Sequence, residues 1–132
     1  MIVVDASAFV EFLTDENGLA HAVAEELYRD GEWVCPSHTT IEVASALRGL
    51  WLGGRSTKAE FLSRMAALGQ LDPDLVAAGP LLPRIVDLAE NASPYDAAYV
   101  ALAEHLRAPL ITTDGKLARI SGGSADVRVL TA

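Results

Sequence analysis

Residues Met1–Ser7 read MIVVDAS, an unbroken apolar run that stops at an acid, and the predicted architecture of the chain follows from this segment. Ile2, Val3 and Val4 are β-branched, which is typical of a strand buried on both faces of a parallel sheet. Asp5 then lies where the strand ends, and ligands of open parallel sheets bind just outside the carboxyl ends of the strands. A lone carboxylate here either caps the following turn or holds a ligand, depending on whether other acids reach the same edge.

Strand and helix patterns alternate along the rest of the chain. Short apolar runs predict further strands over Trp33–Cys35, Pro109–Thr113 and Val127–Leu130. Amphipathic patterns and their caps predict helices over 8–13, 19–30, 39–52, 57–68 and 94–107, a helical stretch that starts at Asp72-Pro73, and a helix that ends near Asn91. The alternation predicts a three-layer α/β/α fold in which helices cover both faces of a central parallel sheet of about four to five strands. The strand order is not predicted by these patterns.

The composition is that of an ordinary globular domain. The 132 residues are enough for one domain and too few for two, so we expect a single domain over residues 1–132. No apolar run approaches the ~20 residues of a membrane span, and Met1–Ser7 lacks the basic region of a signal peptide. The single cysteine, Cys35, excludes an intrachain disulfide and suits a reducing compartment. We therefore expect a cytoplasmic protein without membrane contact.

Acids from four separate segments are predicted to meet at one edge of the sheet. Asp5 and Asp114 each follow a predicted buried strand, so both lie at the carboxyl edge. The helix that begins at Pro94 must run opposite to the strand it precedes, which brings Asp96 in its first turn to the same edge. Glu42 likewise opens a helix that follows a strand.

Each of these acids also has a purely structural explanation. Thr39-x-x-Glu42 matches a capping box, Ser93 and Asp96 flank a proline at the first helical position, and Asp114 begins a favourable Asp-Gly turn. However, four neighbouring carboxylates repel one another and titrate together, and a divalent cation removes that penalty. Oxygen-only ligands suit Mg²⁺ or Mn²⁺, whereas no Cys/His pair has the spacing of zinc ligands.

Four motifs of the chain carry a resemblance to a known family. They are Asp5-Ala6-Ser7 after its strand, Glu42 early in a helix, YDAAYVALA at residues 95–103 and LITTD at residues 110–114. These motifs resemble those of the PIN-domain ribonucleases, and above all the VapC-type toxins of type II toxin–antitoxin pairs. The resemblance spans the whole chain and implies a PIN-like fold and a metal-dependent endoribonuclease. Its Mg²⁺ or Mn²⁺ would be held by the acids at the positions of Asp5, Glu42, Asp96 and Asp114.

The resemblance also implies further site residues and partners. The hydroxyl that accompanies the family's acids corresponds to Thr112, and less directly to Ser7. Some members carry another acid just beyond the fourth, where this chain has Lys116. The implied partners are the RNA substrate, a cognate VapB-type antitoxin that blocks the site, and a second copy of the chain in a homodimer and a toxin–antitoxin hetero-oligomer.

The net charge of −8 argues by itself against nucleic acid, because phosphate binding is mostly electrostatic. Leaving out the four site acids changes it to −4, and one or two divalent ions offset most of the remainder. Basic residues are concentrated around residues 48–64 and just after Asp114. Our candidates for RNA contacts are therefore Arg48, Arg55, Lys58, Lys116 and Arg119, with an ordinary solvated surface as the alternative.

Two other functions remain open, namely another Mg²⁺-dependent phosphoryl-transfer enzyme and a non-catalytic binding module on the same fold. A haloacid-dehalogenase-like enzyme has a second Asp two residues after the first, where this chain has Ser7. A receiver domain has adjacent acids after its first strand, whereas Asp5 is followed by Ala6. No phosphate-binding G-x-x-x-x-G-K-[ST] loop is present. The presence of all four acids favours a nuclease over a binding module.

Overall fold

A computed structural model describes residues 1–131, and its five strands form one parallel sheet with the order β3-β2-β1-β4-β5. The strands are β1 (Ile2–Val4), β2 (Trp33–Pro36), β3 (Asp74–Val76), β4 (Leu110–Thr112) and β5 (Val127–Val129). The predicted α/β class is confirmed, and the strand count lies at the upper end of the predicted range.

The helices form the two outer layers. They are α1 (Ala6–Thr14), α2 (Ala20–Asp30), α3 (Thr39–Leu52), α4 (Lys58–Gln70), α5 (Leu82–Asp87) and α6 (Pro94–Leu106), with short 3₁₀ segments at Gly79–Leu81 and Gly115–Arg119. In the part of the chain that the structure describes, none of the helices combines the length and the hydropathy needed to cross a bilayer.

The central strand β1 and helix α6 form the middle of the core. Val3 pairs with Val34 of β2 on one side and with Leu110 of β4 on the other, and its side chain is fully buried. Helix α6 is buried continuously over residues 97–103, where its alanines allow the helix to approach the sheet closely. This packing fixes the first turn of α6 beside the carboxyl ends of β1 and β4.

The predicted helical stretch from Asp72-Pro73 is wrong, because residues 74–76 form the edge strand β3. Only five residues separate Pro73 from Gly79-Pro80, which is too few for a stable helix. Pairing with β2 instead satisfies the backbone, with Leu75 opposite Cys35. The helix expected to end near Asn91 also stops earlier, at Asp87, and the other predicted bounds differ by one or two residues.

Candidate active site

The four predicted acids line one open cavity of about 400 Å³ at the carboxyl edge of the sheet. The strands β1 and β4 end at this cavity, and helices α3 and α6 begin beside it. Its lining consists of Asp5, Ser7, Glu42, Ser93, Tyr95, Asp96, Asp114 and Lys116. The fold therefore brings together carboxylates that are as far apart in the sequence as residues 5 and 114.

Asp5 is the most deeply buried of these acids, with 4% of its surface exposed. One carboxylate oxygen, Oδ2, accepts hydrogen bonds from Ser7 Oγ at 2.5 Å and from Thr112 Oγ1 at 2.7 Å. Asp5 precedes α1, but its side chain does not cap that helix. Burial raises the pKa of Asp5, while the two hydroxyls act in the opposite direction. The capping explanation therefore fails at this position.

Two hydroxyl side chains connect Asp5 to the end of β4. Thr112 is fully buried, and its Oγ1 also accepts a hydrogen bond from the amide of Asp114 at 2.9 Å. The Oγ of Ser7 accepts one from the amide of Thr113 at 3.1 Å. Both hydroxyls thus donate a hydrogen bond to Asp5 and accept one from a backbone amide just after β4. This arrangement holds the Asp5 carboxylate in one orientation and ties it to the segment that carries Asp114.

Glu42 is held inside the cavity and not in a capping box. The residue before helix α3 is His38, and no side chain caps the helix there. The Glu42 carboxylate instead lies 3.4 Å from the Nε2 of His38 and accepts a 3.4 Å hydrogen bond from the hydroxyl of Tyr99. Burial, together with the charges of Asp5 and Asp96, raises the pKa of Glu42 to about 7.

An aromatic cluster supports Glu42, and sequence reasoning assigned no site role to its members. The ring of His38 packs edge-on between Tyr95 and Tyr99, with centroid distances of 5.7 and 5.1 Å. Burial lowers the pKa of His38, which favours the neutral ring. Tyr95 is 64% exposed and lines the cavity beside Asp96. The only sequence signals were that Tyr95 directly precedes an acid in the first turn of α6 and that His38 precedes α3.

The remaining two acids share a contact with Lys116. Ser93 caps α6 by accepting a hydrogen bond from the amide of Asp96 at 3.2 Å, so the Asp96 carboxylate is not needed as a cap. Asp114 does act as a cap through one oxygen, because its Oδ1 accepts the amide of Lys116 at 3.0 Å. The Nζ of Lys116 lies 3.4 Å from Oδ2 of Asp96 and 3.6 Å from Oδ2 of Asp114.

The donor chemistry of the cavity fits a hard divalent cation, since its four acids supply only oxygen ligands. Between residues 1 and 131, no three His, Cys, Asp or Glu side chains stand in an arrangement that could hold a metal ion. The ammonium of Lys116 lies between two of the acids. A divalent ion bound by both of these acids would compete with the Lys116 ammonium for the space between them.

A second cavity of about 410 Å³ adjoins the first, because Ser7 and Glu42 line both. Residues of α1 and α3 line it together with Arg55, which forms an ion pair with Glu16. Of the five predicted RNA contacts, Lys116 thus lines the acidic cavity and Arg55 lines the adjoining one. The other three, Arg48, Lys58 and Arg119, are exposed but line neither cavity.

Comparisons with known proteins place these features in a wider context. The PIN-domain family model matches residues 2–123. Ribonuclease VapC12 of Mycobacterium tuberculosis H37Rv is 38% identical over 132 residues, which cover 98% of this chain and 99% of that protein. Ribonuclease VapC9 of the same strain is 32% identical over 130 residues, with 98% of each chain covered.

Two solved structures are similar in fold. PAE2754 from Pyrobaculum aerophilum superimposes with a TM-score of 0.67 at 23% identity and covers 92% of this chain and 81% of that one. The sarcin-ricin loop cleaving toxin VapC20 of M. tuberculosis gives a TM-score of 0.67 at 14% identity, with coverages of 97% and 99%. At these identities the likeness concerns the architecture alone.

Proposed function

Since this chain belongs to the PIN-domain family, and within it to the VapC ribonucleases, we propose that its four-acid cavity is the active site of a metal-dependent endoribonuclease. Family membership makes the chain a ribonuclease toxin of a toxin–antitoxin system. The assignment of the individual residues, of the metal and of the partners is our proposal. We further propose that residues 1–132 form one catalytic domain that acts on RNA in the cytoplasm.

The main support is the placement of carboxylates that do not serve as helix caps. Asp5, Glu42 and Asp96 arise from three separate elements, line the same cavity, and do not cap the helices beside them. Burial, together with the charges of neighbouring acids, raises the pKa of Asp5 and of Glu42, which costs stability in the absence of a cation. Such a cost is expected where an acidic cluster serves catalysis.

We assign the cation as Mg²⁺ or Mn²⁺. Asp5 and Asp96 would bind it directly, and Asp114 would complete the ligand set either directly or through a water molecule. A bound ion of this type lowers the pKa of a water molecule and stabilises charge on the scissile phosphate. Glu42 either binds the ion or positions the attacking water. Thr112 and Ser7 orient the carboxylate of Asp5 from behind.

We propose that the RNA backbone runs across the two adjoining cavities, which share Ser7 and Glu42. Lys116 lines the acidic cavity and Arg55 lines the adjoining one, so each cavity offers a basic side chain for a phosphate contact. The exposed ring of Tyr95 lies at the rim of the acidic cavity, where an unpaired base could stack on it. The remaining candidates Arg48, Lys58 and Arg119 would add more distant charge.

The partner proposals follow from the family. We propose a homodimer and a cognate VapB-type antitoxin that blocks the acidic cavity. A basic side chain is a suitable blocking group, because the carboxylates of this cavity already accept the ammonium of Lys116 in the free chain.

Incubation of the purified protein with total RNA tests the function. Cleavage that needs Mg²⁺ or Mn²⁺, stops with EDTA and is abolished in Asp5→Asn supports the proposed reaction, and sequencing of the fragment ends then identifies the bond that is cut. Release of phosphate from small phosphoesters without RNA cleavage would favour a phosphoryl-transfer enzyme. Metal-independent RNA binding without any cleavage would favour a binding module.

A further inference from the structure

Lys116 bridges two acids that belong to different parts of the fold. Its Nζ lies 3.4 Å from Oδ2 of Asp96, at the start of α6, and 3.6 Å from Oδ2 of Asp114, after β4. Within the part of the chain that the structure describes, it is the one basic side chain that lines the acidic cavity. A single ammonium therefore neutralises part of a cluster of four carboxylates.

The backbone of Lys116 is held in place next to the acidic cavity. Its amide donates to Asp114 Oδ1 at 3.0 Å, and the next residue, Leu117, is 2% exposed. Its side chain, in contrast, is 60% exposed. The backbone thus keeps the ammonium within reach of Asp96 and Asp114, while the exposed side chain can shift to let another cation approach these acids.

The formal charge of the cavity limits the number of divalent ions that it can hold at low energetic cost. Four carboxylates and one ammonium give a formal charge of −3 at full ionisation, which one divalent ion reduces to −1. A second divalent ion would make the cavity positive and would stand within a few ångströms of the Lys116 ammonium, where like charges repel strongly.

We propose that Lys116 serves as the second cation of this active site, so that the chain binds one divalent ion and keeps the ammonium beside Asp114. This inference rests on the proposed metal-dependent function and specifies the composition of its site. With the ion bound, the Lys116 ammonium would lose its ion pair with Asp96 and keep the one with Asp114. In that position it would be available to contact the phosphate of a bound RNA.

Counting bound Mn²⁺ tests the inference without any measurement of activity. The full chain, stripped of metal with EDTA and dialysed, is titrated with Mn²⁺ by calorimetry as the parent, as Lys116→Met and as Arg128→Met. Arg128 is a matched control, because it is an exposed cation paired with Asp126 on β5, away from the cavity. Lys116→Gln repeats the test with a polar side chain in case the methionine variant folds poorly.

We expect one Mn²⁺ per chain in the parent and in Arg128→Met. We expect two in Lys116→Met and Lys116→Gln, the first bound about tenfold more tightly than in the parent because a neighbouring positive charge is gone. Two ions in the parent, or one ion of unchanged affinity in both Lys116 variants, would overturn the role of Lys116 and leave the metal-dependent function intact. No Mn²⁺ bound by the parent would overturn the proposed function as well.

Discussion

The hydroxyl of Thr112 donates a 2.7 Å hydrogen bond to Oδ2 of Asp5, although the two residues are 107 positions apart. The contact exists because β1 and β4 are adjacent parallel strands that end at the same edge. Within residues 1–131, no hydrogen bond reaches the other oxygen of Asp5, Oδ1. Thr112 therefore orients a carboxylate that keeps one oxygen available for a ligand.

Replacement of this hydroxyl tests the orienting role. Thr112→Val keeps the shape of the side chain and removes the hydrogen bond, and we expect Mn²⁺ affinity to fall by about 10–100-fold, as for other residues that orient metal ligands. Thr112→Ser restores the hydroxyl and should recover most of the affinity. Equal Mn²⁺ affinity in the valine and serine variants, measured by calorimetry, would show that Thr112 only fills space.

Divalent cations should stabilise the fold, because they bind the native cavity and relieve repulsion among its acids. We expect millimolar Mg²⁺ or Mn²⁺ to raise the melting temperature of the parent and to have little effect on Asp5→Asn. In metal-free buffer, Asp5→Asn should be at least as stable as the parent, since it removes a buried charge whose pKa is raised by burial. A melting temperature unmoved by either metal would argue against an ion site.

The stability of the metal-free protein should depend on pH through Glu42. Its pKa is about 7 in the folded chain and has an ordinary value of 4.5, so between these two pH values the folded state holds a proton that the unfolded state has released. This contribution is fully present below pH 4.5 and is lost as the pH rises through about 7. Urea unfolding in EDTA across that range should show a steeper decline for the parent than for Glu42→Gln. Identical slopes would contradict the raised pKa.

The basic residues outside the acidic cavity should set the salt dependence of RNA binding. A variant with Arg48, Arg55, Lys58 and Arg119 changed to Gln, in an Asp5→Asn background to prevent cleavage, should bind RNA more weakly. Its slope of log affinity against log salt should be shallower, by roughly 0.7 for each phosphate of the single strand that is no longer neutralised. A slope equal to that of Asp5→Asn alone would assign phosphate binding to other surfaces.

The sequence predicted the acidic edge because its position depends only on strand direction and chain order. Once the sheet is parallel, Asp5 and Asp114 must share an edge with the first turn of α6. The family suggested by residues 95–103 and 110–114 is confirmed by the match over residues 2–123. In contrast, the three-residue strand β3 carries too little periodic pattern to predict, and its pairing with β2 is a tertiary effect.

Local patterns also failed to separate capping from site residues. Thr57 and Glu60 form a true capping box at α4, whereas the same Thr-x-x-Glu spacing at Thr39 and Glu42 does not. The difference lies in the surroundings, because Glu42 contacts Tyr99 of helix α6 as well as His38 just before its own helix. Side-chain contacts of this kind, like that of Lys116 with Asp96, arise only when separate elements pack together.

RNA cleavage by Asp96→Asn tests the central claim most directly. Ser93 caps α6, so the substitution keeps the cap and the shape of the side chain while removing one negative charge. Asp72→Asn, at an exposed acid outside the cavity, is the matched control. With both variants folded as well as the parent, we predict that metal-dependent cleavage falls by at least about 10²-fold in Asp96→Asn and is unchanged in Asp72→Asn. Near-parental cleavage by Asp96→Asn would contradict the four-acid active site.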